Sequence, residues 1–149
     1  MITVIVIIIP NTRRLNGMKK YSRQREALLT ELRGRYDHPT AEDLYVSLRK
    51  VMPNYSLGTV YRNLADLSAE GVILKITSGY GPERYDGNIK PHGHFTCQSC
   101  GKVYDLAGFY EKHIDGQQMM AELQNSEAAK DISSINEIRI MLYGTCTNC

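Results

Sequence analysis

The sequence contains no run of about twenty apolar residues, the length a bilayer-spanning helix requires. Its nearest approach, MITVIVIIIP at residues 1–10, is far shorter. Arg13 and Arg14 follow that run, whereas a secretion signal places its basic residues first. Internal repeats and low-complexity tracts are also missing, which excludes a solenoid or a linker-like chain. Cysteine is scarce and none is left over: the four form two CxxC pairs, Cys97 with Cys100 and Cys146 with Cys149. A chain without a secretion signal is expected to be cytoplasmic, and paired CxxC motifs there point to metal before disulfides.

What is present suits a globular fold. Apolar residues make up 42% and charged residues 23% of 149 positions, enough for one good core or two small ones. Charge is unevenly spread, with net +5 over residues 1–75 (12 Lys/Arg, 7 Asp/Glu) and −3 over residues 76–149 (6 and 9). The basic half is the candidate for a polyanion.

Periodicity divides the chain. From an N-cap at Ser22, Leu28 and Leu32 mark a first helix that GRYDHP stops. Thr40, with Asp43 three residues on, forms a capping box for a second helix facing inward through Ala41, Leu44, Leu48 and Val51. Leu57, Val60, Leu64 and Leu67 mark a third, from Ser56 to Gly71. The period then becomes two in VILKITSGYGPERYD, a β-hairpin signal. Three helices and a hairpin predict a winged helix. Beyond GNIKP come extended runs at His92–Cys97 and Lys102–Leu106 and one helix from about Phe109 to Gln124. A polar insert near 125–134 precedes a last strand from Ile138, expected to bury one face. The reading is an α+β chain: an extension at 1–17, which is a mis-assigned start, disordered, or an added β segment; a winged helix-turn-helix at 18–87; a linker at 88–91; and a small α/β domain at 92–149.

Four thiolates favour tetrahedral zinc over two redox dithiols or two disulfides, and Gly101 lets the backbone turn after Cys100. His92 and His94, at i and i+2 of an extended run, share one face and make a half-built metal site. The alternative is a pair of surface histidines. His38, Asp86 and Asp105 each lie beside a turn or strand end and could approach them.

HPTAEDLY, TVYRNL, ERYD, HGHFTCQSCGKVYD and YGTCTNC, in that order from about Tyr21 to Cys149, closely resemble the ferric uptake regulator family of metal-dependent repressors. The resemblance implies a winged helix, a dimerisation domain, structural Zn²⁺ on Cys97, Cys100, Cys146 and Cys149, and a regulatory metal on His38, Asp86, His92, His94 and Asp105. A nitrogen/oxygen set suits Fe²⁺ or Mn²⁺. Asp105 resembles the peroxide-sensing branch, in which Fe²⁺ and peroxide would oxidise His38 or His92, whereas Arg62 is more like the iron-sensing branch. Where relatives carry an additional metal site, this sequence has Pro91, Gly93 and Ile138, so no third site is expected.

Helix-turn-helix geometry makes Ser56, Thr59, Tyr61 and Arg62 the candidates for contacting operator DNA, with Lys19, Lys20, Arg23 and Arg25 on phosphates. Arg62 lies about 200° around the helix from Val60. The expected protein is a homodimeric repressor and not an enzyme. The alternatives are an iron-occupancy repressor without peroxide chemistry, a zinc metalloenzyme, and a zinc-stapled interaction module. The deaminase-type H-x-E…P-C-x-x-C pattern is missing, because Gly93 and His94 follow His92.

Overall fold

The computed structural model describes residues 5–7, 23–113, 115–127, 131 and 138–149. Ser22, most of the 1–17 extension and most of the polar insert lie outside the described residues. Three helices come first after a short strand: β1 (Ile5–Ile7), α1 (Arg23–Arg33), α2 (Ala41–Val51) and α3 (Leu57–Ala69). A hairpin of β2 (Leu74–Ile76) and β3 (Arg84–Asp86) follows, then β4 (Gly93–Cys97) and β5 (Val103–Leu106). The chain closes with α4 (Phe109–His113), α5 (Gly116–Gln124) and β6 (Arg139–Gly144). This is an α+β fold.

The helices form where their caps and apolar spacing require. Thr40 accepts the Asp43 amide at its side chain while the Asp43 carboxylate accepts the Thr40 amide, so α2 opens on a reciprocal capping box. Ser56 caps α3 by one half of that arrangement, its side chain accepting the Thr59 amide. Leu28, Leu32, Leu44, Leu48, Val60, Leu64 and Leu67 then meet in one buried core. Tyr55 completes it, its hydroxyl donating to the Gln24 carbonyl and accepting from Asn63. Val51 departs from expectation at 75% exposure. Its angle around α2 is right, but it sits on the last turn, past the end of the core.

The second domain is a four-stranded sheet in the order β1-β6-β4-β5. β4 runs antiparallel to β5 and parallel to β6, with His94 opposite Asp105 on one side and Met141 on the other. β1 adds an antiparallel edge strand, Val6 opposite Ile140. Two expectations need correction. The helix expected over Phe109–Gln124 is two helices, because the Asp115 side chain accepts from the Gln117 and Gln118 amides and starts α5 afresh. The last strand buries the adjacent residues Ile140 and Met141, and so is covered on both faces rather than one.

Strand parity in the hairpin joins the two halves. Tyr85 turns into the helical core, while Ile76, paired across the hairpin with Arg84, packs on Val103 and Met141 of the sheet. Replacing Thr40 by Ala removes one half of the capping box beside this seam. The expected cost is about 1 kcal/mol in urea unfolding; an unchanged midpoint would mean that water satisfies the Asp43 amide equally well.

Candidate metal centres and nucleic-acid face

Four separate segments deliver donor atoms to one point at the seam. His38 comes from the loop between α1 and α2, Asp86 from the end of β3, His92 from just before β4 and His94 from its start, and Asp105 from β5. The facing atoms of all five lie within 4.8 Å of one another. From the His38 Nε2, Asp105 Oδ1 is 2.9 Å away and Asp86 Oδ2 is 3.9 Å. The His92 Nε2 stands 3.0 Å from Asp86 and 3.1 Å from Asp105, and the His94 Nε2 stands 3.4 and 3.6 Å from the same two oxygens.

Local structure aims each donor. Asp86 uses its other oxygen, Oδ1, to accept the Asn88 amide at 2.7 Å. The Lys90 carbonyl lies 2.6 Å from His92 Nδ1, so Nδ1 donates there and Nε2 is the nitrogen turned to the cluster. His38 is the one described non-glycine residue with positive φ, +49°. A left-handed backbone in a side-chain-bearing residue costs about 1–2 kcal/mol, and such strain gathers at functional sites.

The arrangement is not self-sufficient. His38, Asp86 and His94 are buried, yet none of the five facing atoms makes a hydrogen bond. They point at a common centre instead. Donors about 2.1 Å from an octahedral ion stand about 3.0 Å apart, close to the shorter separations here. Two carboxylates and three imidazoles fit a divalent cation of intermediate hardness, and the missing thiolate argues against a preference for soft metals. The Asp86 carboxylate holds His92 up to about 9 against the opposing effect of burial. Burial raises Asp86 itself, but the neighbouring imidazoles and the Asn88 amide outweigh it and hold its pKa well below the usual range. His94, more deeply buried, is pushed down.

The four cysteines gather separately. Their sulfurs lie 3.6 Å (Cys97 to Cys149), 3.9 Å (Cys100 to Cys146) and 3.4 Å (Cys146 to Cys149) apart, and none is in a disulfide. Four sulfurs around zinc at about 2.3 Å stand about 3.8 Å from one another, so the set fits a closed tetrahedral ion. Backbone amides of Cys100 and Cys146 aimed at its sulfur draw the Cys97 thiol down to about 6, toward the thiolate a metal needs.

The candidate DNA face is mixed in outcome. Ser56, Tyr61 and Arg62 are exposed on α3 and Thr59 is half-buried. Ser56 and Thr59 are joined through their hydroxyls at the helix start, and the Tyr61 hydroxyl donates to Glu42 of α2. Arg62 reaches solvent with one nitrogen 3.3 Å from the Thr59 hydroxyl. Arg23 is exposed, and Lys19 and Lys20 lie outside the described residues. Arg25 is a correction: it is buried and paired with Glu70 rather than free on the surface.

This fold and its two donor clusters define a class, winged-helix proteins with a cation site at the domain seam and a second, all-sulfur site. Within that class the chain belongs to the ferric uptake regulator family, whose model matches residues 16–135. The peroxide operon regulator of Bacillus subtilis is 32% identical over 126 residues, spanning 85% of this chain and 81% of that protein. The Campylobacter jejuni peroxide stress regulator overlays with a TM-score of 0.65 at 28% identity, covering 85% of this chain and 88% of that one. The Helicobacter pylori ferric uptake regulator overlays with a TM-score of 0.66 at 25% identity over 87% and 81% of the two chains. That structure is described with three functional metal binding sites. Two donor clusters gather among the described residues here.

Sequence reasoning missed Arg84, which donates to the backbone of both neighbourhoods, to the His38 carbonyl at 2.9 Å and the Gly101 carbonyl at 2.8 Å. Its position two residues before Asp86 on one strand was the available signal, since that spacing puts both side chains on one face.

The raised pKa of His92 has a measurable consequence. Below about 9 the imidazole carries a proton that an incoming cation must expel. The affinity for Mn²⁺ is therefore expected to rise roughly tenfold per pH unit between pH 6.5 and 8.5 and to flatten above the His92 pKa. Calorimetry in two buffers of different ionisation enthalpy should register the released proton. Equal affinity at pH 6.5 and 8.5 would show His92 already neutral.

Proposed function

We propose that this chain is a DNA-binding transcriptional repressor that acts as a homodimer in the cytoplasm and senses peroxide through a regulatory metal. The observation that carries the reading is the convergence of five unpartnered donors from both domains. In this reading His38, Asp86, His92, His94 and Asp105 hold Fe²⁺ or Mn²⁺, and Cys97, Cys100, Cys146 and Cys149 hold structural Zn²⁺. Five protein donors leave one octahedral position for a small exogenous ligand. A catalytic zinc site commonly uses three protein ligands and keeps an open position, so the five-donor set supports a regulator over a metalloenzyme.

The cluster acts on geometry. A cation bound by His38 and Asp86 on one side and His92, His94 and Asp105 on the other fixes the angle between winged helix and sheet. In a dimer that angle sets the distance between the two reading helices, and a two-half-site operator demands one spacing. A bound ferrous ion would supply the electron that activates peroxide. Overall, one peroxide oxygen adds to an imidazole carbon of His38 or His92 and the other leaves as water. An oxidised ring no longer offers its nitrogen, and the domains are released. The similarity to the Bacillus subtilis peroxide operon regulator and the Campylobacter jejuni peroxide stress regulator supports this choice within the family. Ser56, Thr59, Tyr61 and Arg62 would face the bases, with Arg23 on a phosphate. Among the described residues no helix is long and apolar enough to cross a membrane.

Mass spectrometry after Fe²⁺ and a small dose of peroxide should find one added oxygen on the peptide carrying His38 or His92, with loss of operator binding, while the Mn²⁺ form stays unmodified and bound. Unmodified histidines with retained DNA binding would favour an iron-occupancy repressor instead. On the DNA side, Arg62→Ala should cost about 1–3 kcal/mol on the operator and relax discrimination at one base pair. Equal losses on operator and random DNA in competition shift assays would remove Arg62 from the base-reading set.

A further inference from the structure

Arg84 stands between the two donor clusters and belongs to neither. Its Nε donates to the carbonyl of Gly101, the residue after Cys100, and a terminal nitrogen donates to the carbonyl of His38. Both acceptors sit on backbone with positive φ, +67° at Gly101 and +49° at His38. The planar guanidinium fixes the angle between its two hydrogen bonds, so it works as a rigid spacer.

The contact around Gly101 is tight enough to transmit a displacement. A Cβ on Gly101 would lie 2.6 Å from the Tyr80 carbonyl oxygen, so the hairpin turn rests directly on the cysteine knuckle. The Tyr80 and Tyr143 rings pack at 5.6 Å between centroids, and the Gly144 carbonyl next to Tyr143 accepts the Gln98 amide between the two knuckle cysteines. The Tyr85 amide meanwhile donates to the Pro39 carbonyl, fastening the His38 loop to the same strand that carries Arg84. A continuous path thus runs from Cys100 through the Gly101 carbonyl and the Arg84 guanidinium to the His38 carbonyl.

We propose that Arg84 is a positioning residue that couples the two metal centres, so that filling the cysteine set strengthens cation binding at the seam and the reverse. The proposal rests on the reading that both clusters hold metal. Binding linkage makes the effect reciprocal: whatever factor zinc gives to the seam cation, the seam cation returns to zinc. A residue that merely supports folding would shift each affinity by itself and leave the mutual factor intact.

The test uses full-length zinc-loaded protein. Zinc affinity is measured by equilibrium competition with a zinc-selective fluorescent chelator, with and without saturating Mn²⁺, and Mn²⁺ binding is followed independently by electron paramagnetic resonance. Wild type should hold zinc about fivefold or more tightly with Mn²⁺ present, the lower end of typical couplings. Arg84→Ala and Arg84→Lys should both still bind Mn²⁺ yet show zinc affinities unchanged by it. The lysine variant keeps the charge but not the fork, and it carries the test if the alanine variant folds poorly. Variants that keep the wild-type factor would overturn the coupling role, as would a wild type that binds Mn²⁺ without gaining zinc affinity. A wild type that binds no Mn²⁺ would overturn the seam assignment and the coupling together.

Discussion

Five polar atoms that the fold buries together and leaves without hydrogen-bond partners are the constraint on which the rest of this molecule turns. Each such atom costs about 1–3 kcal/mol when left unsatisfied. Collecting five in one place is stable only if something enters to satisfy them all, and two of the five are carboxylates. A cation does this at one stroke. The cost therefore becomes a conditional stabilisation, present when the ion is bound and missing otherwise. Because the donors come from both sides of the seam, an ion held by all five would stabilise one relative placement of the two halves rather than either half alone.

That placement depends on a single short strand. In β3, Tyr85 looks into the helical core, while Arg84 and Asp86 look toward the sheet. Three consecutive residues therefore divide between the domains, and the strand cannot shift by one position without exchanging a core tyrosine for a carboxylate. The His38 loop is fastened to it through Pro39, and the hairpin turn rests on the cysteine knuckle. The cysteine set lies on the far side, with the Cys149 sulfur 3.6 Å from that of Cys97 on the strand that bears His94.

Much of this was legible because local signals agreed with the final packing. Thr40 and Asp43 announce the start of α2, and the same-face spacing of His92 and His94 survives folding because strand parity is a property of the backbone. The misses have a common cause. Val51 lies on the correct side of its helix but beyond the reach of the core, and periodicity gives direction without distance. Arg25 reads as a surface cation until α3 brings Glu70 against it, a partner no local window contains. Asp115 within a helix-compatible stretch ends one helix and starts another because capping outweighs continuation. Ile140 and Met141 point to opposite faces of β6 and are both buried; Met141 is covered by Ile76 and Val103, segments far away in sequence that no local pattern contains.

The convergence of the five donors was the step that spacing alone could not supply. His38 and Asp105 are 67 positions apart in the chain (105 − 38), yet their facing atoms are 2.9 Å apart. No periodicity encodes that meeting; it follows from the hairpin docking on the sheet. Docking in turn needs Ile76 against Val103 and Met141, an apolar contact with no chemistry of its own. This apolar contact brings the domains near enough for the donors to meet, but it is small, and a small interface between domains leaves room for relative motion. The division of labour follows: apolar burial sets the approximate approach, and ligand geometry selects one angle within it. A larger apolar seam would hold the domains closed with or without metal, and the site would then bind an ion without reporting it.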